Sequence, residues 1–227
     1  QDFSLLEKGK ITLEELKEEV LRFRNKRVLV EFIKKKTARK FYEFCKGECN
    51  AVLLTGDDNP ARRAKVLQRI KSGENLVLIA TQVIEAGINI DMEIGFKDVS
   101  LPDSEEQFMG RCNCSCLNPE GGVAYFFDLD EASSIYRGDA RLNYSIINPV
   151  IRQYLQDKRF DEIYKLVFSD LIARTSKANQ KNLAYLDVNC AQLNCKKIEE
   201  QMRLIERNWQ LFIPYVWEDL DGYQVWE

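Results

Sequence analysis

The sequence predicts an α/β fold built on a doubly wound, mostly parallel sheet, followed by a mainly helical segment with a small β-hairpin. Short, nearly continuous apolar runs alternate with helical periodicity up to about residue 129, which is typical of strands buried on both faces by helices. Helical spacing dominates after about residue 135, and two apolar runs near the end flank Asp221-Gly222, a hairpin signal. We therefore expect a sheet domain over 1–140, and over 141–227 a helical linker that leads into an accessory domain.

The predicted elements have recognisable start and stop signals. Thr12 and Glu15 have the spacing of a capping box, which predicts a helix over about 12–24. Pro60 opens another helix and Gly73 closes it, and a third helix is expected to start at a Ser104 cap with Gln107 at the box position. A further helix is predicted over 37–46. The predicted strands are the apolar runs 27–33, 51–55, 75–81, 97–101 and 121–129.

Composition excludes several classes of function. The 227 residues carry a net charge of −3 and contain no histidine, which excludes a histidine-based metal nuclease, a histidine general base and a Ser-His-Asp triad within this chain. Because the whole chain is not basic, any nucleic-acid binding must come from local groups such as Lys34–Lys36 or Arg62 and Arg63. The alternative interpretation of these charge runs is a solvated helix face.

Cysteine usage and hydropathy favour a cytoplasmic protein. Seven cysteines are an odd number, which argues against a fully paired disulfide framework. No apolar run approaches the roughly 18 residues of a membrane span, and residues 1–7 lack the layout of a secretory signal. Cys112, Cys114 and Cys116 are too tightly spaced for a zinc site, which normally takes four ligands. We therefore expect no bound metal and no membrane contact.

The segment from Ala80 to Asp91, ATQVIEAGINID, is the most informative stretch. The preceding strand delivers Thr81 to the ligand-binding edge of the sheet, where its hydroxyl and nearby backbone N–H groups would hold a phosphate. Gly87 would let the backbone approach a ligand closely, and Asp91 would orient an arginine or a ribose hydroxyl. The alternative is an ordinary turn between a strand and a loop.

A second informative stretch is QFMGRCNC, from Gln107 to Cys114. If it is helical throughout, Gln107, Arg111 and Cys114 share one face at i, i+4 and i+7. An arginine fork matches a phosphate that is being transferred. The alternative is that Gln107 completes a helix cap and Arg111 is a surface charge.

Together the two stretches resemble the fifth and sixth motifs of superfamily 2 helicases, whose second motor lobe has a RecA-like fold. The sequence of residues 80–91 is most similar to that of the CRISPR-associated helicase–nuclease of type I systems. Residues 28–44 resemble that family's fourth-motif strand and helix, and 53–73 resemble the segment that follows. Residues 202–218 resemble a piece that follows the second lobe.

The resemblance implies specific roles. Thr81 and Gln82 would contact the nucleic-acid backbone. From its charge alone, the basic pair Arg62 and Arg63 is a further candidate for that contact. The nucleotide cleft would be lined by five residues, with Arg111 as the arginine finger: Gly87, Asn89, Asp91, Gln107 and Arg111. In the complete protein ATP and Mg²⁺ would be held mainly by a first RecA-like lobe. The implied partners are that lobe, single-stranded DNA and a crRNA-guided surveillance complex.

The chain departs from the family pattern at three positions. Asn89 stands where an aspartate is usual, and Phe108 and Cys114 replace two arginines of the QRxGRxxR pattern. Losing one cation of a transition-state clamp predicts slow ATP turnover. There is also no GxxxxGK[ST] phosphate loop in these 227 residues, so we expect this polypeptide alone neither to hydrolyse ATP nor to cut DNA.

Two alternatives stay open from the sequence. One is a different superfamily 2 translocase, which acts on RNA or serves restriction or repair, because nothing in the chemistry of residues 80–114 distinguishes RNA from DNA. The departures at Asn89, Phe108 and Cys114 also fit a RecA-like binding or interaction module that has lost catalysis.

Overall fold

The structure is a computed structural model that describes residues 1–84, 90–113, 121–201, 216–217 and 220–221. Contacts divide the chain into two compact units, Gln1–Ala173 and Arg174–Glu227. The first unit contains a five-stranded sheet in the order β2-β3-β1-β4-β5, with all four pairings parallel. Its strands are β1 (Val28–Glu31), β2 (Ala51–Leu54), β3 (Val77–Ala80), β4 (Ile94–Asp98) and β5 (Val123–Phe127). The predicted doubly wound parallel sheet is confirmed.

Eight α-helices accompany these strands within the described ranges. They are α1 (Ser4–Glu7), α2 (Leu13–Leu21), α3 (Lys35–Cys45), α4 (Pro60–Lys71), α5 (Pro102–Met109), α6 (Pro149–Gln156), α7 (Phe160–Ala191) and α8 (Cys195–Gln201). Short 3-10 turns lie at Gln82–Ile84, Ala132–Ser134 and Ala140–Tyr144. None of the helices, as far as their residues are described, is long and apolar enough to cross a membrane.

Alternation along the buried strands builds two apolar cores, one on each face of the sheet. Leu29 of β1 faces a core shared with α4, α5 and α6. Val28 and Val30 face the opposite core, which α2 and α3 complete with Leu16 and Phe41. Side chains of consecutive strand residues point to opposite faces, so a strand covered on both sides must be apolar almost throughout. The four residues of β1 and of β3 are all buried.

Local signals explain where several helices begin. Thr12 Oγ1 accepts a hydrogen bond from Glu15 N, and the Glu15 carboxylate accepts one from Thr12 N, so the predicted capping box is confirmed. Asn59 Oδ1 accepts from Arg62 N at 2.8 Å, and Pro60 occupies the first turn of α4. These contacts satisfy N–H groups that the first turn of a helix leaves without partners.

The start of α5 differs from the prediction. The helix begins at Pro102 with Leu101 at the N-cap, so the predicted Ser104 cap is wrong, and Ser104 is buried inside the first turn. Proline fixes φ at a value suited to the first helical position, which moves the N-cap three residues earlier, from Ser104 to Leu101. The preceding strand, predicted over 97–101, is likewise shifted and spans Ile94–Asp98.

The C-terminal segment is mainly helical and contains a short antiparallel pair, β6 (Val216–Trp217) with β7 (Leu220–Asp221). A small hairpin is therefore present, but Asp221 pairs with Val216 inside β7, so the predicted Asp-Gly turn does not connect the two strands. Ile146, Ile151 and Leu155 belong to the same core as Leu29 of the sheet. The domain division predicted at residue 140 stays a prediction.

Candidate functional site

The first group of predicted site residues lies where β3 ends. Thr81 follows the last strand residue directly and is 3% exposed. Gln82 begins a 3-10 turn, and its Nε2 donates to the backbone oxygen of Ile33 at 3.2 Å and to the hydroxyl of Tyr136 at 3.1 Å. The amide of Gln82 therefore ties together the loops that follow β3, β1 and β5. Sequence reasoning missed Tyr136, because it lies 54 residues away and carries no motif.

The basic pair of α4 lies at the same carboxyl-terminal edge of the sheet, because α4 follows β2. The Arg62 side chain is half exposed, with Nε 2.9 Å from Asp58 Oδ1. Nε of Arg63 is buried and has no hydrogen-bond acceptor among the described residues. Arg39 Nη2 lies 2.8 Å from Asp57 Oδ2, and Lys35 pairs with the same carboxylate, which holds the pKa of Asp57 below its usual value.

The second group surrounds the beginning of β4. Asp91 lies three residues before that strand and Arg111 two residues after α5; both are partly buried, and Gln107 is exposed on α5. The backbone joins the two segments, because Met92 N donates to Arg111 O at 3.0 Å and Asn113 N donates to Met92 O at 2.8 Å. These hydrogen bonds place the backbone of Arg111 beside Met92, the residue that follows Asp91. The predicted residues Gly87, Asn89 and Cys114 lie outside the described residues.

Arg111 is not on the helical face that spacing predicted. Helix α5 ends at Met109, with Gly110 at the C-cap, and Arg111 N donates to Phe108 O at 2.9 Å, a turn tighter than an α-helix. The chain then bonds to Met92 instead of continuing as a helix. The expectation that Gln107 and Arg111 share a helical face is therefore wrong, because tertiary pairing with Met92 ends the helix.

Gly95 sets how closely this segment approaches the sheet. A Cβ at position 95 would lie 2.6 Å from Cys112 Sγ and 2.7 Å from Phe108 Cε1, far inside van der Waals contact. Phe108, which replaces an arginine of the family pattern, is 1% exposed and belongs to the core. Burial raises the pKa of Cys112 to about 12. The segment that carries Arg111 therefore packs tightly against the sheet through the apolar side chains of Phe108 and Cys112.

A buried charged network lies between the sheet and α5. Lys97 Nζ is 2.6 Å from Glu31 Oε1 on the neighbouring strand and 3.1 Å from Ser100 Oγ. Glu105 of α5 accepts from Ser100 N at 2.6 Å, and its burial raises its pKa to about 7, opposed by the charge of Lys97. Sequence reasoning missed this network, although charged residues at the ends of two apolar strands were the available signal.

Asp98 organises the loop after β5. Its Oδ1 accepts from the backbone N–H groups of Leu129 at 3.0 Å and of Asp130 at 3.3 Å. Burial raises the pKa of Asp98 to about 7, and these hydrogen bonds oppose the rise. Within the part of the chain that the structure describes, no three histidine, cysteine or acidic side chains converge as metal ligands.

Similarity to known proteins covers the sheet domain. Residues 11–114 match the family described as helicase conserved C-terminal domain. The ATP-dependent RNA helicase RhlB of Shewanella frigidimarina is 28% identical over 131 residues, which are 57% of this chain and 30% of that protein. The probable ATP-dependent RNA helicase DDX17 of Homo sapiens is 28% identical over 141 residues, which are 60% of this chain and 19% of that protein.

Solved structures share the fold. The crystal structure of T. fusca Cas3 superposes with a TM-score of 0.52 and 16% identity, and the match covers 78% of this chain and 25% of that chain. At this identity the likeness concerns the fold alone, and it agrees with the predicted RecA-like sheet. The chain spans less than a third of the length of the curated relatives that it matches.

Proposed function

We propose that this chain, whose residues 11–114 match the helicase conserved C-terminal domain, is the C-terminal lobe of a superfamily 2 helicase and supplies the second half of an ATP-dependent motor. The observation that carries the proposal is the family match over the sheet domain, because it includes both groups of site residues. One group follows β2 and β3 at their carboxyl ends, and the other surrounds the beginning of β4. Two separate groups suit a lobe that contacts nucleic acid with one surface and nucleotide with another.

Four side chains at the carboxyl-terminal edge of the sheet would contact the nucleic-acid strand: Thr81, Gln82, Arg62 and Arg63. The half-exposed guanidinium of Arg62 is suited to a phosphate. Arg63 lies beside Arg62 in the first turn of α4 and is partly buried, and its guanidinium would add a second positive charge near that phosphate. Gln82 Nε2 is already engaged by Ile33 and Tyr136, so its amide oxygen would contact a sugar of the nucleic-acid backbone.

Near β4, Arg111 would act as the arginine finger, with Asp91 and Gln107 beside the nucleotide. ATP with Mg²⁺ would supply the phosphoryl group whose developing negative charge this guanidinium stabilises. The pairing of Met92 with Arg111 fixes the backbone of the finger, and the tight packing at Gly95 restricts its movement. Gly87 and Asn89 are proposed to complete the nucleotide cleft.

The class of nucleic acid is a finer proposal. The curated relatives described above are RNA helicases by name, which favours RNA and the DEAD-box group of superfamily 2. The second candidate is the CRISPR-associated DNA helicase–nuclease, with a surveillance complex as partner. The sequence of residues 80–91 favours that second candidate, so the RNA helicase and the DNA helicase–nuclease both stay proposals.

The test is ATP hydrolysis by the complete protein, in which this chain is joined to its first lobe. We expect hydrolysis to rise with single-stranded nucleic acid, and the better of RNA and DNA of matched sequence identifies the substrate class. Arg111→Ala should lower kcat by about 10²–10³-fold or more, whereas Arg24→Ala, on an exposed turn after α2, should not. A complete protein without nucleic-acid-stimulated hydrolysis would instead favour the non-motor binding module.

A further inference from the structure

The loop between β2 and α4 contains two neighbouring carboxylates with different contacts. The Asp58 side chain is 14% exposed; its Oδ2 accepts from Thr55 N at 2.6 Å, and its Oδ1 lies 2.9 Å from Arg62 Nε. This carboxylate therefore holds the turn in place. The Asp57 side chain is half exposed, and in the described part of the chain its carboxylate contacts side chains of α3 instead. The charge of Asp57 is therefore not required for the shape of the loop.

The carboxylate of Asp57 bridges two cations. Its Oδ1 pairs with Lys35 Nζ, and its Oδ2 lies 2.8 Å from Arg39 Nη2. Because Lys35 and Arg39 are four residues apart on α3, they lie on the same side of the helix. A phosphate group presents two oxygens to such a pair of cations in a similar way. All three side chains are about half exposed, and exposed ion pairs contribute little to stability, so another anion can replace the carboxylate.

These two cations lie near the residues proposed to contact the nucleic-acid strand. Ile33, two residues before Lys35, accepts a hydrogen bond through its backbone oxygen from Gln82 Nε2 at 3.2 Å. A Cβ at Gly56 would lie 3.7 Å from Lys35 Nζ, so the Lys35 side chain lies along the loop that leads to Arg62. The start of α3 is therefore close both to Gln82 and to the loop that precedes the basic pair of α4.

We infer that Lys35 and Arg39 form a phosphate-binding site that the Asp57 carboxylate occupies in the free chain, and that Asp57 competes there with the phosphates of a bound strand. Phosphate binding exchanges one pair of charge-assisted hydrogen bonds for another. The two cations therefore add little to affinity while Asp57 is present, and the strand is released more easily. The inference rests on the proposed function, because it requires a strand at this edge of the sheet.

The test is Asp57→Asn in the 227-residue chain, with fluorescently labelled oligothymidylate and oligouridylate as probes. An amide keeps the shape of the side chain but does not neutralise Lys35 and Arg39. Fluorescence anisotropy at several salt concentrations should show binding that is tighter by about threefold or more at low salt, because two further cations meet phosphates. The plot of log K against log salt should steepen by about 0.7 for each phosphate gained. Unchanged or weaker binding by Asp57→Asn would overturn the inference.

A double-mutant cycle separates this competition from a general effect of charge. Lys35→Met with Arg39→Met removes the site and keeps unbranched side chains on the helix. In that background, Asp57→Asn should no longer tighten binding. An equal gain in both backgrounds would mean that Asp57 acts only as a negative charge near the strand, and the inference would be wrong. Glu43→Gln, at an exposed acid of the same helix that pairs with Lys46, is the matched control and should change affinity little.

Two separate measurements distinguish failure of this inference from failure of the proposed function. The motor is tested by ATP hydrolysis of the complete protein, whereas the competition is tested by the affinities of the chain and its variants. Nucleic-acid-stimulated hydrolysis together with equal affinities of the native chain and Asp57→Asn would refute the competition and leave the motor standing. Absence of stimulated hydrolysis would refute the motor, whatever the affinities are.

Discussion

The ammonium group of Lys97 lies 2.6 Å from the carboxylate of Glu31, and both side chains are completely inaccessible to solvent. The two residues are register partners on the central strands β1 and β4. Ser100 connects the same ammonium to Glu105 of α5, because its hydroxyl accepts from Lys97 and its N–H donates to the Glu105 carboxylate. Burial raises the pKa of Glu105 to about 7. One buried cation therefore links two strands and the helix that precedes Arg111.

Removing this cation is expected to destabilise the fold. Lys97→Met leaves the Glu31 carboxylate buried without its partner, and such a change typically lowers the free energy of unfolding by about 3–5 kcal/mol. The double variant Glu31→Leu with Lys97→Met should recover most of that loss. Urea unfolding of the chain measures both. Equal losses in the single and double variants would contradict the pairing, and Lys165→Met, in an exposed pair with Asp161, should change little.

The raised pKa of Glu105 gives stability a definite pH dependence. Because the folded pKa of about 7 exceeds the ordinary value of 4.5, the folded state binds the proton more tightly. This contribution is therefore fully present below about pH 4.5 and is lost as the pH rises through 7, by an amount on the order of 3 kcal/mol. Asp98, with a pKa of about 7, acts in the same direction.

Glu105→Gln is expected to reduce the fall in the free energy of unfolding between pH 4.5 and 7. An amide does not ionise, and its oxygen still accepts a hydrogen bond from Ser100 N. The measurement is the free energy of unfolding in denaturant at several pH values. Glu14→Gln, on the exposed side of α2, serves as the control. A native curve and a Glu105→Gln curve that run parallel across this range would show that Glu105 is not the group responsible.

Gly95 is predicted to be intolerant of any side chain. Gly95→Ala places a methyl group against Cys112 and Phe108, and overpacking of this kind typically costs about 1–3 kcal/mol of stability. The displaced segment carries Arg111, so ATP turnover by the complete protein should fall as well. Gly56→Ala is the matched control, since its nearest neighbour is the Lys35 side chain at 3.7 Å. Thermal unfolding that is unchanged in Gly95→Ala would refute the close packing.

Cys114→Arg tests the departure from the family pattern. The second arginine should stabilise charge on the transferred phosphoryl group, so kcat of the complete protein is expected to rise by roughly tenfold or more. Steady-state ATPase with saturating nucleic acid is the measurement. Lys at the same position, in Cys114→Lys, should give a smaller gain because it lacks the planar fork. No gain from either variant would mean that this cation is not what limits turnover.

The sequence alone determined the α/β class, four of the five strands of the sheet and the helix starts at Thr12 and Pro60. Apolar runs bounded by Thr12, Asn59 or Pro60 specify their elements because capping and burial act over a few residues. It also indicated the two stretches that are proposed to carry the site, since residue type and spacing there are typical of such chemistry. Their roles remain proposals.

Only the tertiary structure decided how those stretches are held. Helix α5 ends at Met109 because Met92, distant in sequence, pairs with the residues that follow it. Gln82 is oriented by Ile33 and Tyr136 from two other loops. The Glu31–Lys97 pair likewise forms only when two strands 66 residues apart become neighbours. Contacts of this kind are set by the packing of distant segments, which local periodicity does not encode.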